Sequence, residues 1–357
     1  MRGQRSGNCP QCHNQDTEVA PEIQRDVRRE DVLGAINSGY RIAGQSVNLN
    51  YLRNGKKDDV ENFASVNVSG TLPFGFSYNT ELARDLDDSP LDFSDNSRYA
   101  AYFSLNYSRL SFGGSFEWKS YQDFILGSGF NDPPTLVKEH SYKVLNRSTH
   151  VPLLDNEKGY QLELYRRFES GLMITINNSV AINELWKTFV FREYFAELYS
   201  PLGSTSSIRV FFDYAQDEFE NEPDRYAAGG IFEQELGNKW STNLELEYQY
   251  ASVETGFVDQ LSNAVVILGL SKASKISGSL VWEISTDPEM TDDIGTLLEI
   301  ETGMRHWLGA NLTYKISRNN TIHIFGGQRR GGPACTSGIC YEVLDFTGFE
   351  IRINTKF

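Results

Sequence analysis

Between residues 242 and 250 the chain reads Thr-Asn-Leu-Glu-Leu-Glu-Tyr-Gln-Tyr, and this short stretch decides the fold class. Thr242, Leu244, Leu246, Tyr248 and Tyr250 share one parity; Asn243, Glu245, Glu247 and Gln249 share the other. A period of two places successive side chains on opposite faces of an extended strand, so this is a strand with one apolar and one polar face. The period returns in Phe103, Leu105 and Tyr107 against Ser104, Asn106 and Ser108, and in Leu280, Trp282 and Ile284 against Ser279 and Glu283. It also runs to the end of the chain, with Phe349, Ile351, Ile353, Thr355 and Phe357 against Glu350, Arg352, Asn354 and Lys356.

Marking strands by alternation and turns by clusters of Gly, Pro, Asn, Asp and Ser predicts about sixteen strands of roughly 9 to 16 residues. They run over 41–53, 61–72, 75–85, 98–109, 112–122, 158–168, 172–183, 188–200, 206–216, 226–237, 240–252, 262–272, 276–286, 302–317, 321–331 and 345–357. Residues 1–40 read as a polar leader, disordered or partly helical, and 41–357 as one β domain without internal repeat. Taken alternately, the connections form two classes. Leu72–Gly75, Arg109–Ser111, Glu169–Gly171 and Gly237–Lys239 are short; the alternate set is longer and acidic, with Asp85, Asp87, Asp88, Asp92 and Asp95 in one and Asp217, Glu218, Glu220, Glu222 and Asp224 in another. Short periplasmic turns, long outer loops and strands of period two are the pattern of an outer-membrane barrel. The expected fold is therefore all-β: a transmembrane antiparallel up-and-down β-barrel of about 16 strands, closed because closure removes the unpaired edges of an open sheet. Its apolar face is expected to meet lipid and lipopolysaccharide, with Tyr99, Tyr199, Tyr226 and Tyr250 in interfacial girdles.

Composition excludes several other classes. The chain has 357 residues, 39% of them hydrophobic, and its longest clean apolar run, Val265 to Leu268, is far short of the roughly 18 residues that a spanning helix needs. An aromatic content of 13% is too high for a disordered acidic chain. A net charge of −15 argues against a nucleic-acid partner, which would call for basic patches.

The segments NDPPTLVKEHSYKVLNRSTHV (Asn131 to Val151) and GGPACTSGICYEVLDFTGFEIRINTKF (Gly331 to Phe357) resemble those of an uncharacterised family of bacterial outer-membrane β-barrels, a domain of unknown function. The last strand, closed by an aromatic residue, is similar to the terminal assembly signal of such barrels. The resemblance implies a porin-like outer-membrane location. Family members begin with a signal peptide and a longer N-terminal half, whereas Met1 to Val32 is polar and charged without an apolar core. The export signal is thus missing from this stretch, and a truncated N-terminus, with further strands ahead of residue 41, is the expectation.

Few motifs carry chemistry. Cys9-Pro10-Gln11-Cys12-His13 matches C-x-x-C-H, in which two thiols attach haem c covalently and the His ligates its iron; a redox or metal pair and an inert leader are the other readings. Cys335 and Cys340, separated by four residues that include Gly338, are expected to form a disulfide in an oxidising compartment. The connection from about Asp123 to Glu157 is too long for a passive link. By analogy of position with general porins it is the candidate constriction loop, with Asp132, Lys138, Glu139, His140 and Arg147 as its chemistry. Glu139, His140 and Ser141 are adjacent on an extended segment and point to alternate faces, so they form no catalytic triad and no enzyme is expected. The Asp-rich loops lack the spaced pattern of a calcium loop, and the sequence assigns no metal site.

Two functions compete. The first is a porin-like channel for small hydrophilic solutes, lined by Glu233, Glu235, Glu245 and Glu247 on neighbouring strands and by Lys315, Arg352 and Lys356 on the closing ones. The second is a non-conducting barrel that anchors or presents a periplasmic or surface protein partner. A haem-linked electron conduit built on Cys9, Cys12 and His13 is the remaining alternative.

Overall fold

A computed structural model describes residues 32–55, 60–87, 98–126, 136–150, 156–184, 186–254, 259–287, 304–336 and 339–356, with backbone alone for 333–342. Its strands are β1 (Val32–Ile42), β2 (Gln45–Gly55), β3 (Val60–Leu72), β4 (Phe76–Asp85), β5 (Tyr99–Arg109), β6 (Phe112–Gln122), β7 (Glu157–Arg167), β8 (Met173–Glu184) and β9 (Thr188–Leu202). They continue as β10 (Ser206–Asp217), β11 (Glu222–Gly237), β12 (Trp240–Ser252), β13 (Gln260–Lys272), β14 (Ile276–Ser285), β15 (Arg305–Lys315), β16 (Asn320–Arg329), β17 (Gly332–Thr336), β18 (Ile339–Val343) and β19 (Phe346–Thr355). One short helix, α1 (Lys143–Arg147), lies between β6 and β7. No helix among the described residues is long and apolar enough to cross a membrane.

Each of β1 to β16 pairs antiparallel with the next, and β16 pairs with β19, so seventeen strands form one up-and-down sheet. β17 and β18 make a separate hairpin in the last long connection. Along one rim every turn is short. The β11–β12 turn consists of Asn238 and Lys239, both at positive φ (53° and 66°), which is the primed turn whose twist matches the strands it joins.

Cross-strand partners share a face, and one unbroken row shows how the whole sheet is sided. Tyr165, Thr175, Glu197, Phe211, Gly229, Glu247, Val265, Glu283 and Trp307 are successive register partners from β7 to β15. Their face is mostly polar, and its middle is buried: Asn177, Glu193, Asp213, Glu247 and Gln249 are almost fully covered. The opposite face is apolar and bare. Leu246, Leu268, Leu280 and Ile351 are 49%, 51%, 55% and 57% exposed, and Ile176, Phe212, Tyr248 and Trp282 stand beside them. This inverts the arrangement of a water-soluble sheet, where the apolar face is the one that is covered.

The sixteen expected strands are all present, and the structure differs from the expectation in four places. A seventeenth strand, β1, starts at Val32, inside the stretch read as leader. Its outward positions Val32, Ile36, Tyr40 and Ile42 are interrupted by Gly34 and Ser38, which weakens the alternation. The expected closure is absent among the described residues: β1 and β19 pair on one side only. Seventeen alternating strands leave the first and last running in the same direction, so the antiparallel bond that closes an even-numbered barrel has no counterpart between them. The acidic stretch from Asp217 to Asp224 is a tight turn rather than a long loop. Asp217 is buried at the end of β10 and accepts the backbone N–H groups of Phe219 and Glu220, a short-range bond that folds the chain back. Tyr199, expected in an interfacial girdle, lies on the polar face under Arg209, because it shares its parity with Glu197.

Candidate functional site

The site is built where residues 136–150 of the β6–β7 connection lie on the polar face. Four apolar side chains draw the segment down: Leu136, Tyr142, Val144 and Leu145 are all at most 2% exposed. Tyr142, Val144 and Leu145 pack with Phe195 (β9), Phe211 (β10), Ala227 (β11) and Val265 (β13), and the Tyr142 ring stacks on Phe211 at 3.8 Å. Burying a Val or Leu side chain of this kind stabilises by about 1.5–3 kcal/mol, so the segment is held by packing before any polar bond is counted.

The polar bonds then fix its position. Five residues are too few for a stable isolated helix, and Tyr142 offers α1 no side-chain cap. The cap comes from the wall instead. The Glu247 carboxylate accepts the backbone N–H of Lys143 at 3.1 Å and of Val144 at 2.8 Å, satisfying two of the orphan donors at the start of the turn. Gln249, two residues further along β12, donates to the Val144 carbonyl at 3.2 Å and accepts the Ser148 hydroxyl at 3.1 Å. Glu283 on β14 receives both cations of the helix, Lys143 Nζ at 3.1 Å and the Arg147 guanidinium at 2.9 Å. Arg147 also donates to the carbonyls of Arg330 and Gly331 beyond β16. Tyr142 donates to Glu197 at 2.7 Å, and Lys138 pairs with Glu163 on β7.

At its far end the segment is tied by a buried charged cluster. His150 lies between Asp217 (3.3 Å) and Glu157 (3.7 Å) and stacks on Phe191, while Lys119 on β6 pairs with Glu157 at 2.7 Å. Burial works against a charge on His150, but the hydrogen bonds and negative charges of Asp217 and Glu157 outweigh it, and the imidazole is raised to about 9. The near end is tied on the same face at β2 and β3, where Asn54 donates to the Leu126 carbonyl at 2.8 Å and Phe124 meets Phe63 edge-on.

Of the residues expected in the constriction loop, Lys138, His140 and Arg147 bond to the wall and Glu139 is exposed. Asp132 lies outside the described residues, as do Cys9, Cys12 and His13. All seven residues expected on the lumen side have the parity of the polar face, but they serve differently. Glu247 is committed to α1; Glu233 and Glu235 are exposed, and Glu245 is half-buried. Arg352 and Lys356 are exposed at the β19 edge of the sheet, and Lys315 is exposed on β15, two strands in. Arg352 helps line a polar cleft of about 320 Å³ with Thr313, His323, Arg329, Glu350 and Asn354. A second cleft on the same face, of about 390 Å³, sets Glu81, Lys119 and Asn50 over Phe63 and Phe124. Cys335 and Cys340 are direct register partners in the β17–β18 hairpin; their side chains lie outside the described residues.

Sequence reasoning did not find Glu193, Glu197, Asp213 and Glu283 as partners of the loop. Their only signal was a carboxylate on the polar parity of a strand, a signal shared with many solvated positions. Compared with protein-family models and with curated proteins, the chain matches none.

Proposed function

We propose that this chain forms the wall of a porin-like channel of the bacterial outer membrane that passes small hydrophilic solutes, with residues 123–156 as its constriction. The observation that carries the reading is the inversion of the two faces. An exposed apolar face extending over strands from β2 to β19 leaves in water an area far above the few hundred Å² that a soluble monomer tolerates. A bilayer removes that cost, and the charged opposite face then borders an aqueous lumen. The loop occupies that same polar face, where a segment limiting the passage belongs, and it is fastened to β7, β9, β12 and β14.

Closure belongs to the proposal. β1 and β19 run the same way, so a seam made by these two strands would be a parallel pair. The Cys335–Cys340 hairpin, in a long connection on the same rim as the constriction loop, is then on the outside, and its register fits a disulfide in an oxidising compartment.

The test is conductance. The chain folded in detergent and added to a planar bilayer gives discrete ion-selective steps, and deletion of Lys138–Arg147 raises the size of the step. Folded protein that inserts into the bilayer and gives no steps, with or without the segment, overturns the channel and leaves a membrane-anchored platform for a protein partner.

A further inference from the structure

His140, Glu193 and Asp213 come from the loop, β9 and β10, and each is at most 4% exposed. One ligand atom from each falls within 4.8 Å of the other two. Glu193 and Asp213 are diagonal neighbours across the β9–β10 pair, since Asp213 is the register partner of Phe195 and Ala215 that of Glu193. His140 descends onto them from above, its Nε2 at 3.0 Å from Glu193 Oε1. The residues directly opposite the carboxylates are small, Ala215 opposite Glu193 and Ala227 opposite Asp213.

The group is incompletely satisfied. Neither carboxylate oxygen of Asp213 has a hydrogen-bond partner, nor has Glu193 Oε2 or His140 Nδ1. The buried Arg225 guanidinium, bonded to Glu222 at 2.9 Å, also attracts Asp213 and Glu193, so one positive charge faces three carboxylates. Glu193 and Asp213 remain as two buried carboxylates facing an imidazole. Three carboxylates against one guanidinium leave two negative charges in a covered site, so the site calls for two further positive charges.

We propose that His140, Glu193 and Asp213 bind one divalent first-row transition-metal ion, which staples the loop to β9 and β10. One imidazole nitrogen and two carboxylate oxygens suit Zn²⁺, Mn²⁺ or Fe²⁺ better than the all-oxygen shells of Ca²⁺ and Mg²⁺. Bonds of about 2.0–2.2 Å require the three side chains to close slightly on the ion. The divalent charge balances the two carboxylates with His140 neutral, and metal ligation employs the atoms that the protein leaves without partners. The site stands whether or not the sheet conducts, because it depends only on the docking of the loop.

The experiment is a titration of chelator-stripped protein, folded in detergent, with Zn²⁺ alone. Wild type takes up one equivalent and its Tm rises. Asp213→Asn and His140→Gln each lower the affinity at least tenfold and abolish the rise, while Glu184→Gln, an exposed carboxylate at the end of β8, leaves both unchanged. Uptake that is equal in wild type and the two variants, or the absence of one-equivalent uptake, overturns the site and leaves a proton as the compensating charge. If the variants do not fold, the wild type decides through Co²⁺. One equivalent shifting the Co²⁺ absorption bands away from those of the hydrated ion supports the site; an unshifted spectrum overturns it.

Discussion

Replacing Glu247 by Ala tests how the loop is held. The carboxylate is 4% exposed and accepts two backbone N–H groups, those of Lys143 and Val144. Alanine leaves both donors without a partner in a covered site, and each buried unsatisfied donor costs about 1–3 kcal/mol. Lys143 is half-buried, so its N–H recovers part of the loss by reaching water, and the sum comes to about 3 kcal/mol. The packing of Tyr142, Val144 and Leu145 and the ion pairs to Glu283 are untouched, so the cost falls on local opening of the loop and not on the sheet. At about 1.4 kcal/mol per factor of ten, the open loop becomes roughly a hundredfold more populated. Two readouts follow this population: exchange of the Asn146 and Ser148 amides, which bond back to Tyr142 and Leu145, and tryptic cleavage after Lys143 and Arg147. Glu247→Gln keeps one acceptor oxygen and is expected to show about half the free-energy effect. Unchanged exchange and cleavage in Glu247→Ala would refute the capping argument. Equal acceleration in β12 and β13 would show that the residue supports the sheet as a whole.

The remaining predictions concern charge and redox. His150 is raised from 6.5 to about 9, so its folded form holds the proton more tightly; the stability it adds is fully present below about 6.5 and lost as pH rises through about 9. The shift corresponds to about 3 kcal/mol for this buried group, so the urea midpoint falls between those pH values in wild type and stays flat in His150→Gln; matching profiles would sink the assignment. With Glu247 committed to α1, a preference for cations rests on Glu233, Glu235 and Glu245. Changing these three to Gln should lower the cation-to-anion permeability ratio without altering the fold, and an unaltered reversal potential under a salt gradient would remove them from the lumen. Cys335 and Cys340 are expected to resist alkylation until a reductant is added, whereas immediate labelling of both would show free thiols.

The strands and their faces were legible because period two is a local property. In Thr242 to Tyr250 the parity alone sends Leu246 and Tyr248 to the bare face and Glu245, Glu247 and Gln249 to the other. The same rule puts Lys315 of β15 and Arg352 of β19 on the polar parity. It failed at β1, where Gly34 and Ser38 break the apolar parity and the Ala43–Gly44 turn went unread as a turn. It failed differently at Asp217, whose acidity suggested solvent although the residue is buried and bonded at a strand end.

By itself, then, the sequence determined an all-β sheet, the side of it that each strand residue occupies, and its longest connection. Only the tertiary structure decided where that connection docks. Parity says which face a carboxylate is on, but not whether loop or water covers it, and that turns on contacts between residues far apart in the chain. Hence Glu247 and Glu245, identical in type and face and two residues apart, come to differ: one caps a helix contributed from a hundred residues upstream, and the other stays half-exposed on the open wall. Hence also His140 meets Glu193 and Asp213 at a site that no local pattern records, because docking of the loop is what brings the three together.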